Sequence, residues 1–371
     1  MEKIKIMTIF GTRPEAIKMA PVVKSLKNDK QIDLKVCVTA QHREMLDQVL
    51  EKFQIIPDYD LDIMEDNQTL SKITSKILLK IENILKKENP KMVLVHGDTT
   101  TTFTSALAAF YNKIDIGHVE AGLRSEDLFS PYPEEANRSL TGKITTLHFS
   151  PTQGNVENLI KENIGSEKIV KTGNTVIDAL ISVVKKDYKF ENKVLNNIDF
   201  SKKIILLTAH RRENLGKPME EIFTACRELV EKNKDVELIF PMHLNPKVRK
   251  IAKKFLSNNK KIHLIEPLDY EPFANLMNKV YMVMTDSGGI QEEAPALGKP
   301  VLVLRTETER PEAIKANTVK LVGVKSKEIF KQANKLINNT KAYERMSKAT
   351  NPYGDGQASK RILKAIKEYY L

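Results

Sequence analysis

Near its start the chain reads Ile4-Lys5-Ile6-Met7-Thr8-Ile9-Phe10-Gly11-Thr12-Arg13-Pro14-Glu15-Ala16-Ile17-Lys18. Residues 4–10 form a short apolar run rich in β-branched side chains, which predicts a buried strand. Gly11 permits a tight turn. Thr12 and Glu15 then stand at capping-box spacing, and Pro14 falls in the first helical turn, so a helix begins at once.

The same alternation recurs along the chain. Strands are expected at 4–10, 34–39, 92–95, 114–119 and 147–149, and again at 204–208, 236–240, 262–264, 280–284 and 301–304. Helical periodicity fills most gaps, at 44–52, 70–87, 102–111, 219–232 and 246–255. Nearly all-apolar strands separated by helices predict parallel sheets covered on both faces, an α/β class of doubly wound architecture. A length of 371 residues suits two such domains. The charged, Asn-rich stretch 185–203 is the expected linker, giving an N-terminal domain over 1–184 and a C-terminal domain over 204–353. The two are expected to face a cleft, a favoured place for a ligand. Over 354–371 apolar residues recur at helical spacing at Ile362, Leu363, Ile366 and Tyr370, after the turn signal Asn351-Pro352-Tyr353-Gly354-Asp355-Gly356. That terminal helix is expected to pack back on the N-terminal domain.

Composition excludes several classes. A hydrophobic fraction of 41% and a charged fraction of 29% are ordinary for a globular protein and rule out a disordered or collagen-like chain. No apolar run approaches the roughly 18 residues that span a bilayer. Lys3 and Lys5 interrupt the first apolar stretch, so it does not read as a secretory signal, and a cytoplasmic protein without membrane attachment is expected. The net charge is +11, but the basic residues are scattered and no zinc-finger or RNA-binding aromatic motif accompanies them. A solvated lysine-rich surface, with a few cations aimed at a small anionic ligand, is favoured over a nucleic-acid partner. The 2 cysteines, Cys37 and Cys226, have neither disulfide-framework nor metal-ligand spacing, and Cys37 sits in an apolar alternation as a small core residue.

Four motifs could carry chemistry. Arg13 and Lys18 stand near the first helix N-terminus, where backbone N–H groups favour an anion, although the Gly-Lys-Ser/Thr ending of a P-loop is missing. Asp286-Ser287-Gly288-Gly289-Ile290-Gln291-Glu292-Glu293 follows an expected strand. Its two glycines let backbone approach a phosphate, Ser287 adds a hydroxyl, Glu293 could accept ribose hydroxyls, and Arg310 lies downstream. Asp98, Glu120 and Glu134 follow successive elements in glycine- or proline-punctuated loops, and Arg138 is four residues beyond Glu134, on one face of a helix. Converging carboxylates raise one another's pKa toward the range of acid–base work. Finally, Thr208-Ala209-His210-Arg211-Arg212-Glu213-Asn214 sets a histidine beside two arginines at a strand end, and His243 occupies the analogous place after the next strand. The 7 histidines form no metal-ligand pattern, and no metal is expected.

Taken in order, Gly11-Thr12-Arg13-Pro14-Glu15, Gly97-Asp98-Thr99, His118-Val119-Glu120-Ala121-Gly122-Leu123-Arg124, Pro133-Glu134-Glu135-Ala136-Asn137-Arg138, His210-Arg211-Arg212-Glu213-Asn214 and Asp286-Ser287-Gly288-Gly289 closely resemble the non-hydrolysing bacterial UDP-N-acetylglucosamine 2-epimerases. The resemblance runs through nearly the whole chain. It implies a glycosyltransferase-B-like fold of two Rossmann-type domains, usually a homodimer. It also implies reversible conversion of UDP-N-acetylglucosamine to UDP-N-acetylmannosamine, with no cofactor, metal or nicotinamide. By the same resemblance Asp98, Glu120 and Glu134 form the acid–base set, supported by Arg138 and His210. Arg13, Lys18, Ser287, Gly288, Gly289, Glu293 and Arg310 would contact UDP, and Phe273 would wall the uracil. Some members carry a second, activating substrate site, near positions matching Gln41, Glu44, Asn67, Gln68, Arg211 and His243. Glu44 and Asn67 replace a Gln and an Arg there, which weakens the case for activation in this chain. A hydrolysing epimerase, a UDP-sugar glycosyltransferase and, on charge alone, a nucleic-acid-binding protein stay open as alternatives.

Overall fold

The structure is a computed structural model that describes residues 3–40, 43–65 and 68–371. It divides into two compact units, Met1–Ser182 with Tyr353–Leu371, and Val183–Pro352. The first holds strands β1 (Ile4–Phe10), β2 (Ile32–Val38), β3 (Tyr59–Asp60), β4 (Met92–His96), β5 (Asp115–Val119), β6 (Leu147–Ser150) and β7 (Ile169–Lys171), in the order β3-β2-β1-β4-β5-β6-β7. The second holds β8 (Lys203–Thr208), β9 (Val236–Pro241), β10 (Ile262–Ile265), β11 (Met282–Thr285), β12 (Val301–Val303) and β13 (Val319–Leu321), in the order β10-β9-β8-β11-β12-β13. Every pairing in both sheets is parallel.

Each sheet grows outward in both directions from its first strand, so strand order reverses between β1 and β4 and between β8 and β11. Loops leaving such neighbours splay apart at the carboxyl edge and open a crevice there. The motif loops after β1, β4, β8 and β11 all leave from these points. The strands read as unbroken apolar runs because helices cover both faces. On one face of the first sheet, helix Leu70–Glu88 sets Ile77, Ile81 and Leu85 against Val93, Val95 and Ala109, all fully buried. Truncating one such isoleucine to alanine costs about 2–5 kcal/mol. In the second unit Phe223 and Phe240 meet at 5.4 Å between ring centres and anchor the larger core.

Residues 185–203 fold within the second unit rather than forming a free linker. Their Lys- and Asn-rich composition hides an apolar nucleus: Phe190 packs between Tyr188 at 5.1 Å and Phe200 at 6.1 Å, and Leu195 in helix Lys193–Asn196 is buried. The terminal helix Ala358–Tyr370 lies in the first unit and buries Ile362 and Ile366. Asp178 accepts from the Ala358 and Ser359 amides, Lys367 pairs with Asp29 at 3.0 Å, and the Tyr370 hydroxyl donates to Asp115 at 2.6 Å. No helix among the described residues is long and apolar enough to cross a membrane.

Candidate active site

In the first unit β4 and β5 are neighbours, and each delivers a carboxylate at its end. Gly97 adopts φ +69°, a left-handed conformation that glycine takes without strain, and Asp98 follows it. His118 fixes this turn by donating Nε2–H to the Gly97 carbonyl at 2.7 Å. Asp98 accepts from Arg138 Nη2 at 2.6 Å, and Asn137 donates to the Asp98 carbonyl at 2.9 Å. Burial, with the nearby Glu120 charge, raises the Asp98 pKa above 3.8, against the opposing pull of Arg138 and Lys18. Glu120 itself stands at φ +65°, unusual for a side chain of its size, a cost of order 1–3 kcal/mol sustained by its surroundings. Its carboxylate accepts from Lys18 Nζ at 2.5 Å and Asn174 Nδ2 at 2.9 Å, with His96 Nε2 at 3.7 Å.

Arg138, buried on helix Glu134–Ile144, does not turn toward Glu134 as the four-residue spacing suggested. It pairs with Glu135 at 3.1 Å, and Glu135 in turn accepts from the Ser125 and Glu126 amides at 3.0 and 3.3 Å. Glu134 is half-buried in the first turn, and its side chain makes no hydrogen bond or ion pair among the described residues. Arg13, the first residue of helix Arg13–Lys27, is half-buried, and its guanidinium likewise makes none. A guanidinium at a helix N-terminus is well placed for an anion. Lys18, grouped with Arg13 in the sequence, instead has its ammonium on Glu120.

In the second unit Asp286 directly follows β11 and is fully buried. Its Oδ2 accepts from the His210 and Arg211 amides, both at 2.9 Å, and from Asn214 Nδ2 at 3.1 Å, while Oδ1 lies 3.5 Å from His210 Nδ1. The loop after β8 is thereby bound to the loop after β11. Burial lowers the His210 pKa below 6.5, with Asp286 opposing, so the ring is mostly neutral at pH 7. His243 stacks on it at 5.3 Å and 9°.

Ser287 caps helix Gly288–Ala296, and its own hydroxyl has no partner among the described residues. A Cβ placed on Gly288 would lie 3.9 Å from a guanidinium nitrogen of Arg211 and of Arg310 alike. Two cations therefore flank the open first turn of a helix, an arrangement suited to a phosphate or diphosphate. Arg310 is held through Nε by the buried Glu292. Glu293 comes near Gly289, and with burial it drives the enclosed Tyr270 hydroxyl well above its usual range. Phe273, half-buried, sits in the first turns of helix Tyr270–Lys279.

Of the second-substrate positions, Arg211 and His243 gather beside His210 in the second unit. Gln68, in the first, donates to the Ile63 carbonyl at 2.8 Å, and Glu44 is exposed on helix Arg43–Phe53. Gln41 and Asn67 lie outside the described residues. No three His, Cys, Asp or Glu side chains among the described residues are grouped to hold a metal.

The sequence pattern of the UDP-N-acetylglucosamine 2-epimerase family matches residues 24–367. The chain belongs to this family. Members are isomerases that share its two α/β units. The UDP-N-acetylglucosamine 2-epimerase of Bacillus subtilis is 53% identical over 370 residues, covering 100% of this chain and 97% of that one. A crystal structure of the UDP-GlcNAc 2-epimerase from Neisseria meningitidis bound to UDP-GlcNAc is 50% identical, with TM-score 0.85, covering 98% of this chain and 100% of that one. The fold extends beyond the family: a glycosyltransferase of kitacinnamycin superposes with TM-score 0.67 at 8% identity, over 99% of each chain.

Proposed function

We propose that the chain interconverts UDP-N-acetylglucosamine and UDP-N-acetylmannosamine by eliminating UDP and adding it back. The carbon-2 proton of the sugar has no adjacent carbonyl, so abstraction alone would leave an unstabilised carbanion. Elimination removes the difficulty. A carboxylate takes the carbon-2 proton while the anomeric C–O bond breaks, its electron pair leaving with UDP, and a carbon–carbon double bond forms to give 2-acetamidoglucal. UDP then re-forms the C–O bond as a proton reaches carbon 2 from the opposite face.

This chemistry needs acid–base groups, and the observation that carries the reading is the pair Asp98 and Glu120 at adjacent strand ends. Their environments differ. Asp98 is raised by burial beside Arg138, whereas Glu120 is tied to Lys18 and Asn174. Unlike environments let two carboxyls take unlike protonation states. Glu134 is the third member of the set. Departing diphosphate gathers negative charge, which Arg211, Arg310, Ser287 and the Gly288–Gly289 amides would receive, with Arg13 a further cation and His210 in support. Glu293 would take the ribose and Phe273 the uracil. The reading carries with it a cytoplasmic homodimer that supplies activated sugar for cell-surface polysaccharide.

Incubation with UDP-N-acetylglucosamine and a chelator, followed by proton NMR, tests the reading. The expected product is the UDP-linked manno epimer at equilibrium with substrate. Free N-acetylmannosamine with UDP would favour the hydrolysing alternative, and no reaction without an added sugar acceptor would favour the glycosyltransferase.

A further inference from the structure

Glu15 is 2% exposed and makes four hydrogen bonds with its two oxygens. Oε2 accepts the Gly11 amide at 3.0 Å and the Thr12 amide at 2.8 Å. Oε1 accepts the Thr99 hydroxyl at 2.7 Å and the Thr102 hydroxyl at 3.2 Å. A capping box requires only the bond to the Thr12 amide, together with the Thr12 side chain's return bond to the Glu15 amide. The second oxygen reaches an element 84 residues away, and the cap has no use for it. Thr99 follows Asp98 directly and caps helix Thr100–Tyr111, while Gly11 and Thr12 lead directly into Arg13.

We propose that Glu15 is a positioning residue for epimerisation: it binds the turn presenting Arg13 to the turn presenting Asp98 and so sets the spacing of an anion contact and an acid–base group. The proposal rests on the roles given above to those two residues. Neighbouring packing leaves the turns little other freedom. A Cβ on Gly11 would lie 1.9 Å from Thr39 Oγ1 and 2.9 Å from Thr101 Oγ1, and those hydroxyls bond to each other at 3.0 Å. Within that interlock Glu15 is the ionisable link, and each of its partners is a donor. Burial raises its pKa, against the downward pull of the Thr99 hydroxyl and the Gly11 and Thr12 amides. Its charge is not among the main influences on Asp98, which are Arg138, Glu120 and Lys18, so its effect there is through geometry.

Three substitutions separate span from charge and from folding. Glu15→Gln keeps the length: one oxygen can still accept both amides, and its NH₂ can donate to threonine hydroxyls, which can turn. Glu15→Asp keeps a carboxylate near the helix N-terminus but loses a methylene and cannot reach both turns. Glu15→Ala removes both links. Misplacement of reacting groups by about 1 Å can cost about 10²-fold. Expected are a fall in kcat of roughly 10- to 100-fold with a raised KM in Glu15→Ala and Glu15→Asp, and values within about threefold of wild type in Glu15→Gln. The acid limb of kcat/KM should move in Glu15→Asp and stay in place in Glu15→Gln, which a purely structural role would not produce. If Glu15→Ala does not fold, Glu15→Asp carries the test. A folded Glu15→Asp with wild-type kcat, KM and pH profile overturns the proposal, as does a Glu15→Gln as impaired as Glu15→Asp. A wild-type protein that does not epimerise overturns the function itself, and the positioning role with it.

Discussion

Lowering the pH from 7.5 to 5.5 should cost the first unit about 4 kcal/mol of stability through three histidines. His96, His118 and His148 lie on β4, β5 and β6, all buried, and burial pushes them down to about 3, about 4 and about 3. In the unfolded chain each titrates near 6.5. The unfolded chain therefore takes up protons as the pH drops below 6.5, while the folded chain does so only near 3–4. Stability from these groups is complete above pH 6.5 and is lost below it. At pH 5.5 each contributes a loss of about 1.4 kcal/mol, a serious fraction of the roughly 5–15 kcal/mol that holds a domain together. Glu15 and Asp98, with raised pKa values, run the other way, so a single-site comparison is cleaner. Neither ring nitrogen of His148 has a hydrogen-bond partner among the described residues, so His148→Leu sacrifices no bond there. At pH 7.5 the variant should lie within about 1.5 kcal/mol of wild type. At pH 5.5 it should gain about 1.4 kcal/mol relative to wild type. Urea unfolding followed by circular dichroism at the two pH values measures this. A difference between variant and wild type that does not change with pH would show that His148 is not held neutral by burial.

Asp98→Asn, Glu120→Gln and Glu134→Gln should each lower turnover by about 10²–10⁴-fold while calorimetry still shows UDP binding, and near-normal turnover in any one removes it from the acid–base set. Arg310→Ala should weaken UDP binding by roughly 1.5–3 kcal/mol, and Glu292→Gln by less, because the latter loosens the arginine without deleting it. Equal affinities in all three proteins would place the diphosphate elsewhere. Asp286→Asn removes the charge that holds the His210 pKa up, so the His210 midpoint followed by NMR should move further below 6.5. A midpoint that stays or rises would contradict the pairing.

The doubly wound plan was legible because both sheet faces are covered, which leaves strands such as β4 and β8 as unbroken apolar runs. The strands that escaped, β3, β7 and β13, are two or three residues long and stand at sheet edges, where no sustained pattern is required. The 185–203 segment misled because its aromatic nucleus is only three rings in a lysine-rich stretch. In the site, loops after strands were readable, but a choice between adjacent acids was not. Glu134-Glu135 and Glu292-Glu293 are neighbours in sequence, and only packing shows that Glu135 and Glu292 turn inward to hold Arg138 and Arg310. An arginine three residues beyond Glu135 was the available signal, since positions three and four apart are equally near on a helix. Asp286 was visible only as the first residue of a glycine motif. Its role in holding the His210 loop depends on β8 and β11 being neighbours, which no local pattern reveals.

Elimination and re-addition of UDP require removal of the carbon-2 proton. UDP-N-acetylglucosamine incubated with the protein in deuterated water, without added metal, should yield UDP-N-acetylmannosamine carrying deuterium at sugar carbon 2, with deuterium also entering recovered substrate as the reaction reverses. Epimer formed with its original proton retained at carbon 2 would contradict the account, whatever the mutants show.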